Sequence, residues 1–430
     1  MDGETTRLTL GSLARVEGEG RLAFTVRHGR VEAAELNIYE PPRFFESFLR
    51  GRDFREPPDI TSRICGICPV AYQVSACNAI EQACDAHLTQ PILDLRRLLY
   101  CGEWIASHTL HIYLLHAPDF LGAADAIELA RIARPDVERG LALKKAGNAI
   151  LELIGGRSIH PVNVRLGGFY RAPTPSELES LAEQLRTALD DALATVQWVS
   201  HFEFPDAEID SDLLALAQPG RYAIEDGMLT TTSGSSFTPE EFSDHVEESQ
   251  VPYSTALHAH LDGQAYLTGP LARYSLNSAE LSDTARQAAT EAGLGTACRN
   301  PFQSIVVRAV ETVFAVDEAL RLIREYQRPD PPYVDISPRA ATGYGVSEAP
   351  RGMLYHRYQL DSEGRILRAA IIPPTSQNQA AIENDLRNTL AANLRLTDTE
   401  LAALCERTIR NYDPCISCAT HFLDLTIDRG

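Results

Sequence analysis

The chain has 430 residues, of which 39 are Lys or Arg and 59 are Asp or Glu, so its formal net charge is −20. Nucleic acid and anionic membrane surfaces attract basic proteins, so this charge argues against both as main partners. Hydrophobic residues make up 44% of the chain, which is enough for a large core and excludes a disordered or fibrous protein. No segment approaches the roughly 20 apolar residues of a membrane helix, and the acidic N-terminus is unlike a signal peptide, so we expect a cytoplasmic protein without a membrane span.

The sequence patterns predict a mainly α protein, a large multi-helix body with small β additions. Residues 6–39 alternate in hydropathy about a turn at 28–30, which predicts an N-terminal β-hairpin. Apolar residues at helical spacing follow Pro69, and proline suits the first helical turn, so a helix is expected to begin at Cys68-Pro69. Longer helical patterns follow at about 92–117, 124–154, 175–201, 279–293, 300–327, 379–393 and 397–410.

Helix starts, a loop and a pair of strands are predicted in the rest of the chain. Thr174 and Thr238 each precede Pro and acidic residues, as at a helix start, and the acidic stretch 240–248 is interpreted as a solvated helix face. Four prolines in 328–338 predict a loop, and 354–372 predicts a short strand pair. We expect one domain, with the hairpin at about 6–39, the helical body at about 60–327, a small β part at about 340–421 and a tail at 422–430.

Four of the nine cysteines form two CxxC pairs. Cys65 and Cys68 lie near the N-terminus, whereas Cys415 and Cys418 lie near the C-terminus. A CxxC brings two thiolates to one soft metal ion, so two pairs can provide a four-sulfur site. Zinc ribbons usually have their pairs only about 15–20 residues apart, and thioredoxin-like pairs lie near a βαβ pattern that this sequence lacks. A shared metal site is the preferred interpretation, with zinc binding and disulfide chemistry left open.

The residues around these cysteines resemble the signature motifs of nickel-iron hydrogenase large subunits. The two motifs are RICGICP at 63–69 and DPCISCATH at 413–421. Further segments match in the family's order at 15–18, 43–46, 50–52, 160–161, 167–168 and 348–352. The resemblance implies the hydrogenase large-subunit fold, which complex I relatives share. The form of the first motif is most similar to that of the cytoplasmic, nucleotide-coupled branch.

The resemblance implies a nickel-iron centre whose iron carries carbon monoxide and two cyanides. Cys65 and Cys415 would bind nickel terminally, while Cys68 and Cys418 would bridge nickel to iron. Soft, strongly donating thiolates suit nickel. Dihydrogen would be split heterolytically, with a sulfur, in our interpretation that of Cys415, receiving the proton.

Further site residues follow from the same resemblance. Glu17 would carry the proton away from the thiolate. Glu46 and His421 would bind a magnesium or iron ion near the active site, since a carboxylate, an imidazole and waters make a plausible octahedral set. Composition alone would make these residues a hairpin carboxylate, a helix-surface glutamate and a C-terminal histidine.

The resemblance also implies a set of mainly polar residues around the metals. Arg351 would hold its guanidinium over the open position and donate a hydrogen bond to a cyanide, which an arginine can do without titrating. Asp119 and Asp413 would surround this arginine, although such a cluster is also a common structural feature. Pro350 and Thr375 would complete the surroundings of the cyanides.

The sequence departs from the family in two places. Tyr72 occupies a position where many relatives have histidine, so a hydrogen bond to the bridging thiolate would come from a phenol or be absent. Residues 422–430 follow His421, after which family precursors are cut by a maturation endopeptidase. They are either an uncut extension or a natural terminus. Maturation in this family also implies nickel chaperones as partners.

The remaining five cysteines are scattered along the chain. They are interpreted as packing residues, and they cannot hold a series of iron-sulfur clusters. Electrons must then leave through another polypeptide. The resemblance implies an iron-sulfur small subunit and, in this branch, flavin and NAD(P) reductase subunits, since this chain has no GxGxxG fingerprint.

We therefore expect the catalytic subunit of a nickel-iron hydrogenase that cleaves dihydrogen reversibly. A non-catalytic complex I-like relative is the first alternative, but such relatives have generally lost the four cysteines that are present here. A dihydrogen sensor with the same metals is the second alternative, and the sequence separates it poorly from the enzyme.

Overall fold

The structure, a computed structural model, describes residues 5–420. His421 and residues 422–430 lie outside the described residues, so the predictions for them stay predictions. About half of the described chain is helical. Its α-helices, in chain order, are α1 (Phe45–Leu49), α2 (Pro57–Thr61), α3 (Pro69–Ala83), α4 (Gln90–Leu110), α5 (Ala117–Leu121), α6 (Ala126–Ile132), α7 (Arg134–Gly155), α8 (Pro175–Ser200), α9 (Phe242–His245), α10 (Pro270–Asn277), α11 (Asp283–Glu291), α12 (Ser304–Arg324), α13 (Pro374–Asn393), α14 (Asp398–Arg410) and α15 (Ile416–Ala419).

The strands form several small sheets rather than one large one. In chain order they are β1 (Thr5–Ser12), β2 (Gly20–Arg27), β3 (Arg30–Ile38), β4 (Val164–Arg165), β5 (Gly168–Phe169), β6 (Asp212–Ala217), β7 (Met228–Thr231), β8 (Ser236–Phe237), β9 (Val246–Gln250), β10 (Leu257–Leu261), β11 (Tyr266–Leu267), β12 (Ala341–Ala349), β13 (Gly352–Leu360) and β14 (Ile366–Ile372). The order is β1-β2-β3 in one antiparallel sheet and β12-β13-β14 in another. The β11-β6-β7-β8 sheet contains one parallel pair, β11 with β6.

Most predicted helices are present, with local differences at their ends. The predicted 92–117 helix corresponds to α4 followed by a π-helical turn at His111–His116, and the predicted 124–154 helix is divided into α6 and α7. Thr174 caps α8 in a capping box with Glu177, because each side chain accepts a hydrogen bond from the other residue's backbone N–H. The predicted strand pair at 354–372 corresponds to β13 and β14, which a third strand, β12, joins.

The interpretation of 240–248 as a solvated helix face is wrong. The helix α9 ends at His245, and the chain continues as strand β9, which pairs with β10. The strands between 212 and 267 were also not predicted. Their pairings join segments that are distant in sequence, and short strands of this kind carry little local signal.

The β12 strand lies directly on helix α3. A Cβ atom added at Gly343 or Gly345 would overlap backbone atoms of Ala79 or Ser75, so only glycine allows this approach. The hydroxyl groups of Ser75 and Ser347 lie 2.7 Å apart across the contact. This packing fixes the β12–β13 turn relative to the start of α3, where the first CxxC lies.

The largest apolar core joins distant parts of the chain, from Leu13 to Cys418. It is crossed by α3, α4 and α12, which are buried over most of their lengths. Within residues 5–420, no helix combines the length and apolar character that are needed to cross a bilayer.

Candidate metal centre

The two CxxC pairs meet in the interior. The ligand atoms of Cys65, Cys68, Cys415 and Cys418 all lie within 4.8 Å of one another, and all four residues are buried. The sulfurs pair across the two motifs, at 3.5 Å between Cys65 and Cys415 and at 3.7 Å between Cys68 and Cys418. Four free thiols this close are the donor set of a soft metal site. Thiolate bonds of about 2.3 Å allow one or two metal ions between them.

Local structure at each motif aims the sulfurs inward. Cys65 follows the 3₁₀ turn Ser62–Ile64, and Cys68 directly precedes the first turn of α3. Cys415 precedes the short helix α15, and its backbone forms a parallel β-bridge with Glu17. The N-terminal sheet and the C-terminal motif therefore hold each other in position.

The pKa values of the four thiols differ when no metal is bound. Hydrogen bonds from the other three thiols lower the pKa of Cys65 well below its usual value. Burial raises the pKa of Cys415 and of Cys418. A metal ion that binds all four sulfurs must therefore displace protons, as thiolate sites generally do.

The guanidinium group of Arg351 is buried close to the sulfurs. Arg351 follows β12, is 2% exposed, and donates from Nε to the Asp413 carbonyl oxygen at 2.8 Å and from Nη2 to its carboxylate at 3.0 Å. Burial opposes its charge, but Asp413 and then the cysteine sulfurs raise the pKa of Arg351 well above its usual value. Its Nη1 has no partner among the described residues, so it is available to a ligand of the centre.

Pro350 and Thr375 are both buried. The Thr375 hydroxyl accepts a hydrogen bond from the backbone N–H of Cys415 at 2.9 Å, which leaves its own proton free to donate. The Pro350 carbonyl accepts a hydrogen bond from Arg273 at 3.0 Å. Both contacts fix backbone around the sulfurs.

The structure brings Asp413 to Arg351 but gives Asp119 different partners. Asp119 accepts two hydrogen bonds from Arg410, at 2.7 and 2.8 Å, and forms an ion pair with Arg15. Both of its oxygens are used by these two guanidiniums, so among the described residues its ion pairs are not with Arg351. Asp119 instead links the segment before Glu17 to the segment before Asp413.

Glu17 lies beside the second motif. Its carbonyl accepts the backbone N–H of Ile416 at 3.0 Å, and its carboxylate accepts that of Ser417 at 3.0 Å. The residue is half-buried. A carboxylate in this position is close to Cys415 and still has a route to the surface.

The predicted second metal site is described only in part, since His421 lies outside the described residues. Glu46, in α1, accepts the backbone N–H of Ile371 at 2.7 Å. Burial, and after it the charge of Glu46, raises the pKa of Glu248 well above its usual value. Sequence reasoning missed Glu248, because β9 was read as a helix.

Tyr72 and Glu103 lie against the first motif. Burial, and after it the charge of Cys418, raises the pKa of the Tyr72 phenol well above its usual value, so the phenol keeps its proton and can donate a hydrogen bond. Glu103 accepts the backbone N–H groups of Val70 and Ala71, at 2.6 and 3.1 Å, and so caps the first turn of α3. Glu103 was not predicted, although an acidic residue within the apolar run 98–106 is a usable signal.

Comparison with known proteins agrees with this geometry. The family model for nickel-dependent hydrogenases matches residues 43–146 and 220–421. The alpha subunit of sulfhydrogenase 1 from Pyrococcus furiosus is 33% identical over 427 residues, which cover 97% of this chain and 98% of that subunit. The A subunit of an F420-non-reducing hydrogenase from Methanocaldococcus jannaschii is 30% identical over 410 residues, covering 89% and 98% of the two chains.

Solved structures show the same fold. The structure of an NAD+-reducing NiFe-hydrogenase in the H2-reduced state superposes with a TM-score of 0.86 at 26% identity, covering 97% of this chain and 99% of the other. The NiFeSe-hydrogenase from Dm. baculatum gives a TM-score of 0.78 at 22% identity, covering 97% and 100%.

The fold and the four-cysteine site define a nickel-iron hydrogenase large subunit. The chain belongs to the nickel-dependent hydrogenase family. It is the catalytic subunit, an oxidoreductase that acts on dihydrogen, as the motifs predicted.

Proposed function

We propose that Cys65 and Cys415 bind nickel terminally and that Cys68 and Cys418 bridge nickel to iron. The observation that carries this assignment is the pairing of sulfurs across the motifs, since each CxxC contributes one sulfur to each close pair. When bound, a nickel-iron centre supplies the open coordination position at which dihydrogen is split heterolytically. Proton transfer and the surroundings of the centre are assigned to side chains of this chain.

The sulfur of Cys415 receives the proton and Glu17 takes it onward. The β-bridge between these two residues and the hydrogen bond from Ser417 to the Glu17 carboxylate support this path, because they hold the backbone of Glu17 against Cys415 and its carboxylate against the same motif. A carboxylate acts in proton transfer when it is held within hydrogen-bond reach, directly or through one water.

Arg351 and Thr375 hold the diatomic ligands that we expect on iron, carbon monoxide and two cyanides. The unpartnered Nη1 of Arg351 and the free hydroxyl proton of Thr375 are the two donors that support this role. Pro350 sets the backbone between β12 and Arg351. Asp413 positions Arg351, and Asp119 acts one step further away, by tying Arg410 to Arg15.

Glu46 and His421 bind a magnesium or iron ion beside the centre. The nearby carboxyl group of Glu248 supports a cation there, because the charge of Glu46 raises the pKa of Glu248 and positive charge stabilises two neighbouring carboxylates. A maturation endopeptidase and nickel chaperones are the partners that complete the site.

The electrons leave through an iron-sulfur small subunit to flavin and NAD(P) reductase subunits in the cytoplasm. The likeness to an NAD+-reducing NiFe-hydrogenase supports this coupling. Purification of the native complex should yield these subunits together with dihydrogen-dependent reduction of NAD+ or NADP+. A complex that reduces viologen dyes with dihydrogen but neither nucleotide would refute the coupling while leaving the hydrogenase assignment intact.

The ligand assignment is tested by cysteine replacement. Cys415→Ser should remove nickel and dihydrogen uptake, whereas Cys405→Ser, at a buried cysteine outside the cluster, should retain both. Nickel and iron are measured by elemental analysis of the purified complex. Full nickel content and uptake in Cys415→Ser would contradict the assignment.

A further inference from the structure

Arg308 is an exception among the buried arginines. Among the residues that the structure describes, six arginines are at most 3% exposed, and five of these form an ion pair with a carboxylate. Those five are Arg96, Arg97, Arg273, Arg351 and Arg410. Arg308, on α12, is 1% exposed and has no such pair within the described part of the chain. Its Nη1 donates to the carbonyl of Asn411 at 3.0 Å, and its Nε has no hydrogen-bond partner among the described residues.

The two carboxylates whose charges act most strongly on Arg308 are each hydrogen-bonded to another arginine. Asp413 is bonded to Arg351, and Glu311 is bonded to Arg273 by two hydrogen bonds, at 2.7 and 2.8 Å. Glu311 also accepts the Tyr222 hydroxyl at 2.9 Å. Neither carboxylate forms an ion pair with Arg308 among the described residues, although Oδ2 of Asp413 has no hydrogen-bond partner there, and both act on Arg308 only through space.

A buried charge without an ion pair destabilises the folded protein when no metal is bound. Burial lowers the pKa of Arg308 to about 10, although Asp413 and Glu311 act in the opposite direction. The neighbouring histidines are neutral, because burial, and after it nearby positive charges that include Arg308, lowers the pKa of His111 and of His116 well below the usual value. A buried charge is normally paired, so an anion outside this set of side chains would stabilise it further.

The position of Arg308 indicates which anion this is. Its hydrogen-bond acceptor, Asn411, lies two residues before Asp413 and four before Cys415. Ser304, one turn earlier on α12, donates to the same carbonyl at 2.7 Å. Arg308 is therefore bonded to the backbone of the segment that leads to Asp413 and Cys415. Four thiolates become negatively charged when metal binds them.

We propose that Arg308 is an electrostatic partner of the metal centre, a buried positive charge that stabilises its reduced states through the layer formed by Arg351 and Asp413. The proposal rests on the nickel-iron assignment above. Arg308 touches neither metal nor substrate in this scheme, so it acts through charge alone. Uncompensated charges of this kind have a long range in a protein interior, because screening is weak there.

The test compares replacements that remove or keep the charge. Arg308→Met and Arg308→Gln remove it, and Arg308→Lys keeps it. The nickel-loaded complex is titrated with redox mediators while the nickel signal is followed by electron paramagnetic resonance. Arg321→Met, which removes a charge from the same helix about 20 Å further along, is the matched control.

We expect the neutral variants to be harder to reduce. At the potential where wild-type nickel is half reduced, their ratio of oxidised to reduced nickel should be about tenfold higher, which is about 59 mV for a one-electron couple. Arg308→Lys and Arg321→Met should titrate like the wild type. Loss of nickel from both neutral variants, with nickel retained in Arg308→Lys, would also support a requirement for charge.

Two results would overturn the proposal. One is a nickel-loaded neutral variant with an unchanged potential, and the other is an Arg308→Lys variant that shifts or loses nickel as the neutral variants do, which would indicate a packing role. A wild-type complex without nickel would refute the metal assignment itself, so the two failures are distinguishable.

Discussion

The cap on helix α3 offers a quantitative test of how the first CxxC is held. Glu103, on α4, is 1% exposed, and its carboxylate accepts the N–H groups of Val70 and Ala71. Burial raises the pKa of Glu103 well above its usual value, and the two N–H groups lower it by less. Glu103→Ala would leave both N–H groups buried without an acceptor, directly after Cys68.

The expected cost follows from the number of bonds lost. A buried donor left without a partner costs about 1–3 kcal/mol, so two of them should lower the free energy of unfolding by about 2–6 kcal/mol. Glu103→Gln keeps one acceptor oxygen and nearly the same volume, so its cost should be about half as large. Nickel content should fall in the same order, because Cys68 directly precedes the first turn of α3.

The assay is urea unfolding of the full-length chain, with nickel analysis of the purified complex beside it. Glu152→Ala, which removes an exposed glutamate from α7, is the control and should change stability by less than about 0.5 kcal/mol. If Glu103→Ala were as stable as this control and kept full nickel content, Glu103 would not be the cap that the distances indicate.

Three further predictions concern single side chains. Glu17→Gln should leave nickel in place but slow the exchange of dihydrogen with deuterium from water at least tenfold; unchanged exchange would exclude Glu17 from the proton path. Tyr72→Phe removes a hydroxyl that can donate to the Cys418 sulfur, so infrared bands of iron-bound ligands should move to lower wavenumber, and bands at wild-type positions would contradict this donor role. Asp385, which is hydrogen-bonded by Tyr412, has its pKa raised by burial from 3.8 to about 6. The folded protein therefore keeps a proton that the unfolded chain releases, and stability should fall by about 3 kcal/mol as the pH rises from about 4 to 6. Asp385→Asn should lack this loss in urea titrations at each pH, and parallel curves for the two proteins would refute the shift.

Local patterns were sufficient for the helices and for the cysteines. The helix after Cys68 begins at Pro69 because proline fits a first turn, and Thr174 caps α8 because its side chain accepts a nearby backbone N–H. The meeting of the CxxC pairs was predicted because one soft metal explains both. These signals involve neighbours in sequence or strong chemical identity.

The polar environment of the site could not be predicted in the same way. Glu103 caps a helix that begins 34 residues earlier, and Asp119 bonds Arg410 across 291 residues. Glu248 faces Glu46 only because β9 lies where a helix was expected. Arg308 is informative because of a partner it lacks, and a sequence shows residues without showing which of them are left unpaired.

The separation of the two cysteine pairs constrains when the enzyme can be completed. Cys65 and Cys415 are 350 residues apart, yet their sulfurs are adjacent. During synthesis the first pair leaves the ribosome while the second has still to be translated, so a nascent chain offers only half of the donor set. Metal loading must therefore be post-translational, and a message truncated before codon 415 would give a polypeptide that cannot hold the centre, however well its helices fold.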